Sequence, residues 1–207
     1  MEPSIYTIGS VPAIAELGPA TEVEHGEPCP ACDREPPPRY TFVELTFDAW
    51  SGEDLVIAMS VHTASARLRD AIERAGLTGA RFEAVKVSKA DYFELGDEAY
   101  SPDVPDFYRL DFAGRAHGPE IWWESSRCEE CGLVSWKRTP EGTRASAALS
   151  FGEPAPPRQV FRGSWSRDDL FRLEDPGPPL VTERAKEVFE RLPVREVSFQ
   201  PAEWVDE

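Results

Sequence analysis

Histidine is scarce in this 207-residue chain, at three copies, and methionine scarcer, at two. Cysteine occurs only four times. Positive charge is in deficit: 22 Lys and Arg stand against 38 Asp and Glu, a formal net charge of −16 at pH 7. Each shortage excludes something. The histidines, His25, His62 and His117, are scattered, so no histidine-rich metal or acid–base cluster is written in the chain. A phosphate-backbone binder presents a basic face, so no nucleic-acid partner is expected. No apolar run approaches the length of a membrane-spanning helix, and no membrane association is expected. Met1 to Tyr6 lack the basic start of a secretory leader. The expected compartment is therefore the cytoplasm, where thiols stay reduced. There is no Walker loop, no Gly-x-Ser-x-Gly and no His-Glu-x-x-His. Carboxylates abound, yet nothing singles out two of them as an acid and a base. No catalytic and no cofactor-binding residue is expected, and the chain reads as a non-enzyme.

What is present is a pattern in the four cysteines. They form two Cys-x-x-Cys pairs, Cys29-Pro-Ala-Cys32 and Cys128-Glu-Glu-Cys131. Such a turn sets two thiolates on one side of a tight bend, and two turns supply four sulfurs, a donor set suited to one structural Zn²⁺. Gly132, after the second pair, supplies positive φ without steric cost. Asp33 holds the matching place after the first and is among the few other residues that tolerate it. The pairs are 95 residues apart, against roughly 15–20 in a compact zinc ribbon. The site is expected to clamp an early segment to the middle of a domain. Two disulfides are an alternative, disfavoured by the reducing compartment. A thioredoxin-like redox motif is another, disfavoured because neither pair lies between an apolar strand and a helical run. His25, four residues before Cys29, is a further candidate ligand, though a loop histidine exposed to solvent is the simpler reading. Acidic residues surround the cysteines: Glu24, Glu27, Asp33, Glu35, Glu129 and Glu130. Beyond solubility, such a surface suits a basic protein partner, steered by opposite charge.

Length and composition predict a single α+β domain over 1–207, rich in sheet, with two principal helices and this discontinuous zinc-knuckle pair. Pro and Gly, at 20 and 14 copies, imply short elements joined by many loops. Strands are expected over 4–8, 40–47, 54–60, 81–87 and 107–112, with irregular chain over 9–28. The loop expected over 90–106 is acidic and punctuated by proline. Ile121–Glu124 and Leu133–Trp136 flank the second knuckle as a hairpin, with Trp122, Trp123 and Trp136 packed around it. Further strands are expected over 144–151, 158–163 and 194–199. A helix capped by Thr63 or Ser65 runs to about Ala75 and stops at Gly76, and a second, capped by Thr182, runs to about Leu192. The helix–strand units 63–87 and 182–199 repeat weakly at a constant spacing of 117 residues. Arg67 matches Arg184, Glu73 matches Glu190, Arg74 matches Arg191, Phe82 matches Phe199, and Leu77 falls over Val194.

With these features in place, the chain resembles the bacterial double-CXXCG motif family, a paralogous set in myxobacteria. Cys128-Glu-Glu-Cys-Gly132 fits the motif fully, and Cys29-Pro-Ala-Cys32 fits it except that Asp33 replaces the glycine. Asp169-Leu-Phe-Arg-Leu173, leading to Thr182-Glu-Arg184, looks like the family's C-terminal signature. Some members are immunity proteins against toxins exchanged between kin cells. The resemblance therefore implies a non-catalytic protein that binds and neutralises a cognate toxin. A zinc-stabilised adaptor without a toxin link is the alternative, and a Cys-x-x-Cys redox protein a third.

Overall fold

The computed structural model describes residues 2–9, 11–95, 103–150, 156–192 and 197–207. Its first strands are β1 (Ile5–Ile8), β2 (Ala15–Leu17), β3 (Glu22–Glu24), β4 (Arg39–Phe42), β5 (Glu44–Trp50), β6 (Leu55–Ala58) and β7 (Val61–Ser65). β7 runs straight into helix α1 (Ala66–Arg74). Next come β8 (Ala80–Ala84), β9 (Lys86–Leu95), β10 (Phe107–Phe112), β11 (Gly114–Ala116), β12 (Trp123–Arg127), β13 (Val134–Arg138) and helix α2 (Pro140–Ser150). β14 (Arg158–Phe161), a 3-10 turn (Arg162–Ser164), β15 (Leu170–Leu173), β16 (Leu180–Thr182), α3 (Glu183–Arg191) and β17 (Phe199–Val205) complete the described elements. The fold is α+β and mostly sheet.

Two hairpin–helix units organise it. β6 and β7 pair antiparallel and lead into α1; β15 and β16 pair antiparallel and lead into α3. Both helices begin at a β-branched or small hydroxyl residue in extended conformation. Ser65 accepts from the Leu68 amide, and Thr182 from the Ala185 amide. Such caps satisfy donors that a helix start leaves orphaned. An aspartate locks each cap. Asp54 Oδ1 accepts from the Ser65 hydroxyl at 2.5 Å, and its other oxygen meets Arg67 at 2.7 Å. Asp169 Oδ1 accepts from the Thr182 hydroxyl at 2.9 Å, and its other oxygen meets Arg184 at 3.1 Å. The first helical amide of α1 donates to Asp106, and that of α3 to Ser4, both at 2.9 Å. Even the stacked cations correspond: Arg69 lies over the Tyr108 ring and Lys186 over the Tyr6 ring.

The strand added to each unit comes from elsewhere in the chain. The four-stranded sheet has the order β6-β7-β10-β8, with β10 antiparallel to both neighbours. Within the six-stranded sheet β11-β15-β16-β1-β17-β14, the segment β15-β16-β1-β17 has the same order, with β1 antiparallel to both neighbours. The early strand β1 thus completes the late unit, and the mid-chain strand β10 completes the early one. The central hydrophobic cluster reflects this twofold plan. Leu55 and Leu170, Ala64 and Val181, Leu68 and Ala185, Ile72 and Phe189, and Leu110 and Ile8 enter it as corresponding pairs. Each fully buried Leu, Ile or Phe contributes roughly 1.5–3 kcal/mol. On their opposite faces the sheets have separate cores. Phe107 joins Leu45, Phe47 and Trp50 of β5, while Ile5 joins Phe171, Leu173 and Val160 beside Trp165 and Trp204.

Several expectations need correction. A third α-helix joins the two expected ones among the described residues. The strand expected over 144–151 is helix α2, with residue 151 outside the described residues. Pro140 sits at its first position, where the missing amide costs nothing, and the Thr139 hydroxyl just ahead accepts from the Gly142 amide at 2.9 Å. The run from Ala145 to Ala148 favours helix intrinsically. The segment over 9–28 contains β2 and β3, whose shortness hid them. Strand 40–47 is two strands, broken at Val43. β9 occupies residues 86–95, six of its ten residues in the expected acidic loop, because it pairs parallel with β5. The last strand is Phe199–Val205, and Val194 lies outside the described residues.

Candidate metal centre

The two Cys-x-x-Cys turns have the same backbone geometry. After the first, Asp33 has φ +55° and its amide donates to the Cys29 carbonyl at 2.7 Å. After the second, Gly132 has φ +72° and its amide donates to the Cys128 carbonyl at 3.0 Å. Each turn closes with a further bond, from the Cys29 amide to the Arg34 carbonyl and from the Cys128 amide to the Leu133 carbonyl, both 2.9 Å. The second turn is the tip of the β12–β13 hairpin, in register from Trp123↔Arg138 to Arg127↔Val134. The first is carried between β3 and β4, themselves a pair.

The fold brings both turns together. The sulfurs of Cys29, Cys32, Cys128 and Cys131 all lie within 4.8 Å of one another, a group that could hold a metal ion. Cys32 and Cys131 sulfurs are 3.8 Å apart. That exceeds the roughly 2.05 Å of a disulfide and equals the edge of about 3.8 Å expected for a thiolate tetrahedron with metal–sulfur distances near 2.3 Å. All four cysteines are free thiols. Cys29 is buried, Cys32 and Cys128 are half-buried, and Cys131 is exposed.

Backbone amides prepare two of the sulfurs for the charged form. The amides of Ala31 and Cys32 hold the Cys29 thiol below its ordinary pKa. Those of Cys131 and Glu130 bring Cys128 down to about 6. The remaining two sulfurs show the opposite response. The Arg34 amide favours the Cys32 thiolate, but burial and the neighbouring sulfurs prevail and push it up to about 12. Cys131 is likewise raised, by burial and by Cys29 and Cys128, against the pull of the Leu133 amide. Four sulfurs this close repel one another as thiolates, and a divalent cation is what relieves the repulsion.

Arg34 supplies a second tie between the turns. Its guanidinium donates to the carbonyls of Ser126 and Leu133, at 3.3 and 3.4 Å, across the base of the hairpin tip. Sequence reading passed over this residue. Its one signal is that it is the only base between Cys32 and the Pro36-Pro37-Pro38 run. His25 is exposed and is not part of the sulfur group. The three tryptophans divide around the hairpin. Trp123 carries the Arg138 guanidinium on its ring, Trp122 carries that of Arg158, and Trp136 faces a small cleft with Trp123 and His117. No family model matches the chain, and no curated protein matches it. No helix among the described residues is long and apolar enough to cross a membrane.

Proposed function

We propose that this chain is a non-catalytic binding protein stabilised by one structural Zn²⁺ on Cys29, Cys32, Cys128 and Cys131. The observation that carries the reading is the convergence of four sulfurs from turns 95 residues apart. A set of four thiolates suits zinc in a structural role, where the ion contributes folding energy and no chemistry. Its task here is to fasten the β3–β4 segment to the β12–β13 hairpin.

The biological role we propose is immunity: direct binding and neutralisation of a cognate bacterial toxin in the cytoplasm. Support comes from the resemblance of both knuckles and of Asp169–Arg184 to the double-CXXCG family, and from the charge of −16. Such a surface accelerates encounter with a basic partner and orients it. Co-expression with the toxin encoded beside it tests the role. Rescue of growth, together with a complex that forms at low salt and weakens as salt rises, is the expected result. Failure to protect against any neighbouring toxin overturns the immunity reading. Purified protein with less than one equivalent of tightly bound zinc overturns the metal reading separately.

A further inference from the structure

We propose that the cleft between β4, β7, β10 and β15 is a binding site for a small oxyanion, a carboxylate- or phosphate-bearing molecule. The proposal is independent of the toxin-binding reading. The cleft measures about 220 Å³ and is lined by Arg39, Tyr40, His62, Arg109, Asp111 and Arg172, among others. That is smaller than the roughly 300–1,000 Å³ of sites for drug-sized ligands, so the ligand is small. In a chain so short of positive charge, three arginines converge on this one hollow.

Arg172 is the central group. Its guanidinium is half-buried and forms no ion pair within 4 Å among the described residues. Asp111 acts on it only through space, and Arg115 opposes Asp111. What holds Arg172 is His62, whose Nδ1 lies 3.1 Å from Arg172 Nη2. A guanidinium only donates, so Nδ1 must accept and the ring proton sits on Nε2. Burial and the Arg172 charge push the His62 pKa down to about 4, so the ring is neutral at neutral pH. His62 therefore aims Arg172 without cancelling its charge. The Phe112 ring, with its centroid 5.3 Å from the guanidinium carbon, supplies the other wall.

Arg109 adds a second positive group. It donates to the Tyr40 carbonyl at 2.9 Å and to Glu83 at 2.6 Å, but its Nε is buried without a partner. Arg39 commits Nε and Nη2 to Glu24. A partly desolvated cation without a counter-ion is costly, and an incoming oxyanion removes that cost. Planar arginine forks are also the side chains best matched to carboxylate and phosphate.

The twofold plan shows that the fold itself does not ask for these charges. In the two hairpin units, Arg172 corresponds to Ile57, His62 to Pro179, and Arg109 to Thr7. At these three places one side of the pseudo-symmetric pair carries Ile, Pro and Thr, and the other Arg, His and Arg. The difference is what a site grafted on a repeated scaffold looks like.

Titration calorimetry and histidine NMR test the proposal on the full zinc-loaded protein, with inorganic phosphate and citrate as probes at matched ionic strength. Saturable binding with a Kd of about 1 mM or tighter is expected for at least one probe, and which one responds assigns phosphate or carboxylate. The His62 ring resonances should shift on binding, while those of His25 and His117 stay. Arg172→Met should weaken binding tenfold or more with zinc content and circular dichroism unchanged. Should that variant fail to fold, amide shifts in the wild type decide: changes centred on His62, Arg109 and Arg172 support the site, and changes elsewhere overturn it. Absence of saturable binding by both probes, or undiminished binding by a folded Arg172→Met, also overturns it.

Discussion

Asp33 and Gly132 occupy the same place in the two knuckles, with φ of +55° and +72°. A Cβ at Gly132 would meet nothing within 4 Å, so only the backbone angle matters there. Gly132→Ala is expected to cost about 1 kcal/mol of stability, from αL strain alone. Asp33→Gly should cost nothing and slightly stabilise the zinc-loaded protein. Chemical denaturation of the two variants checks both signs. His62 makes a pH prediction. Unfolded, it titrates near 6.5; folded, burial and Arg172 hold it near 4. Between those values the unfolded chain takes up the extra proton, so stability is complete above about pH 6.5 and falls as the pH drops toward 4. The loss amounts to about 3 kcal/mol. Charged residues that share its cleft are Arg172 on β15, Arg109 and Asp111 on β10, and Arg39 on β4. Urea melts of wild type and His62→Asn, which keeps an acceptor and cannot titrate, should diverge over that window. At this scale the cysteines were legible because their spacing is local. The Arg172–His62 contact was not, since 110 residues separate its partners.

The two helices were legible in the sequence for the same local reason. Their apolar stripes, caps and the Gly76 stop lie within a dozen residues of one another, and Gly76 indeed has φ +61°. The repeat seen at 117 residues extends to Ser65 and Thr182 as caps. It did not reveal the aspartates that lock them. Asp54 lies 11 residues before Ser65, but Asp169 lies 13 before Thr182, so a comparison without gaps loses the match at the hairpin turn. Helix α2 was misread because its stretch of small residues carries no amphipathic signal. The locks yield a graded prediction. The Asp54 carboxylate is 2% exposed, and its loss leaves a buried hydroxyl and Arg67 without their acceptor. Asp54→Ala should cost about 2–3 kcal/mol. Asp169 is 13% exposed and its arginine is mostly in water, so Asp169→Ala should cost about 1–2 kcal/mol. Equal losses in equilibrium unfolding would show that the two units do not share this device.

At the scale of the molecule, the exchange of β1 and β10 between units could not be read from the chain. Strand patterns state which face is buried but not which distant partner is paired. The same limit applies to the sulfur cluster: spacing named four candidate ligands, while only the fold could say how they meet. Where they meet sets what the proposed zinc ion would hold in place. None of the three core clusters includes Cys32, Cys128 or Cys131, and β3–β4 and β12–β13 are separate two-stranded sheets. An isolated two-stranded hairpin is marginal in water. The paired helices and their sheets, in contrast, bury the central cluster without help from the knuckles. Removing the proposed zinc ion is therefore expected to open the periphery and leave the centre folded. Hydrogen exchange after chelation should rise over residues 22–42 and 123–138, while amides of β7, β10 and β16 keep their protection. The repelling sulfurs, freed of their cation, add to the opening. Uniform loss of protection across all sheets would mean instead that the ion supports the whole core, and that the hairpin units cannot stand on their own packing.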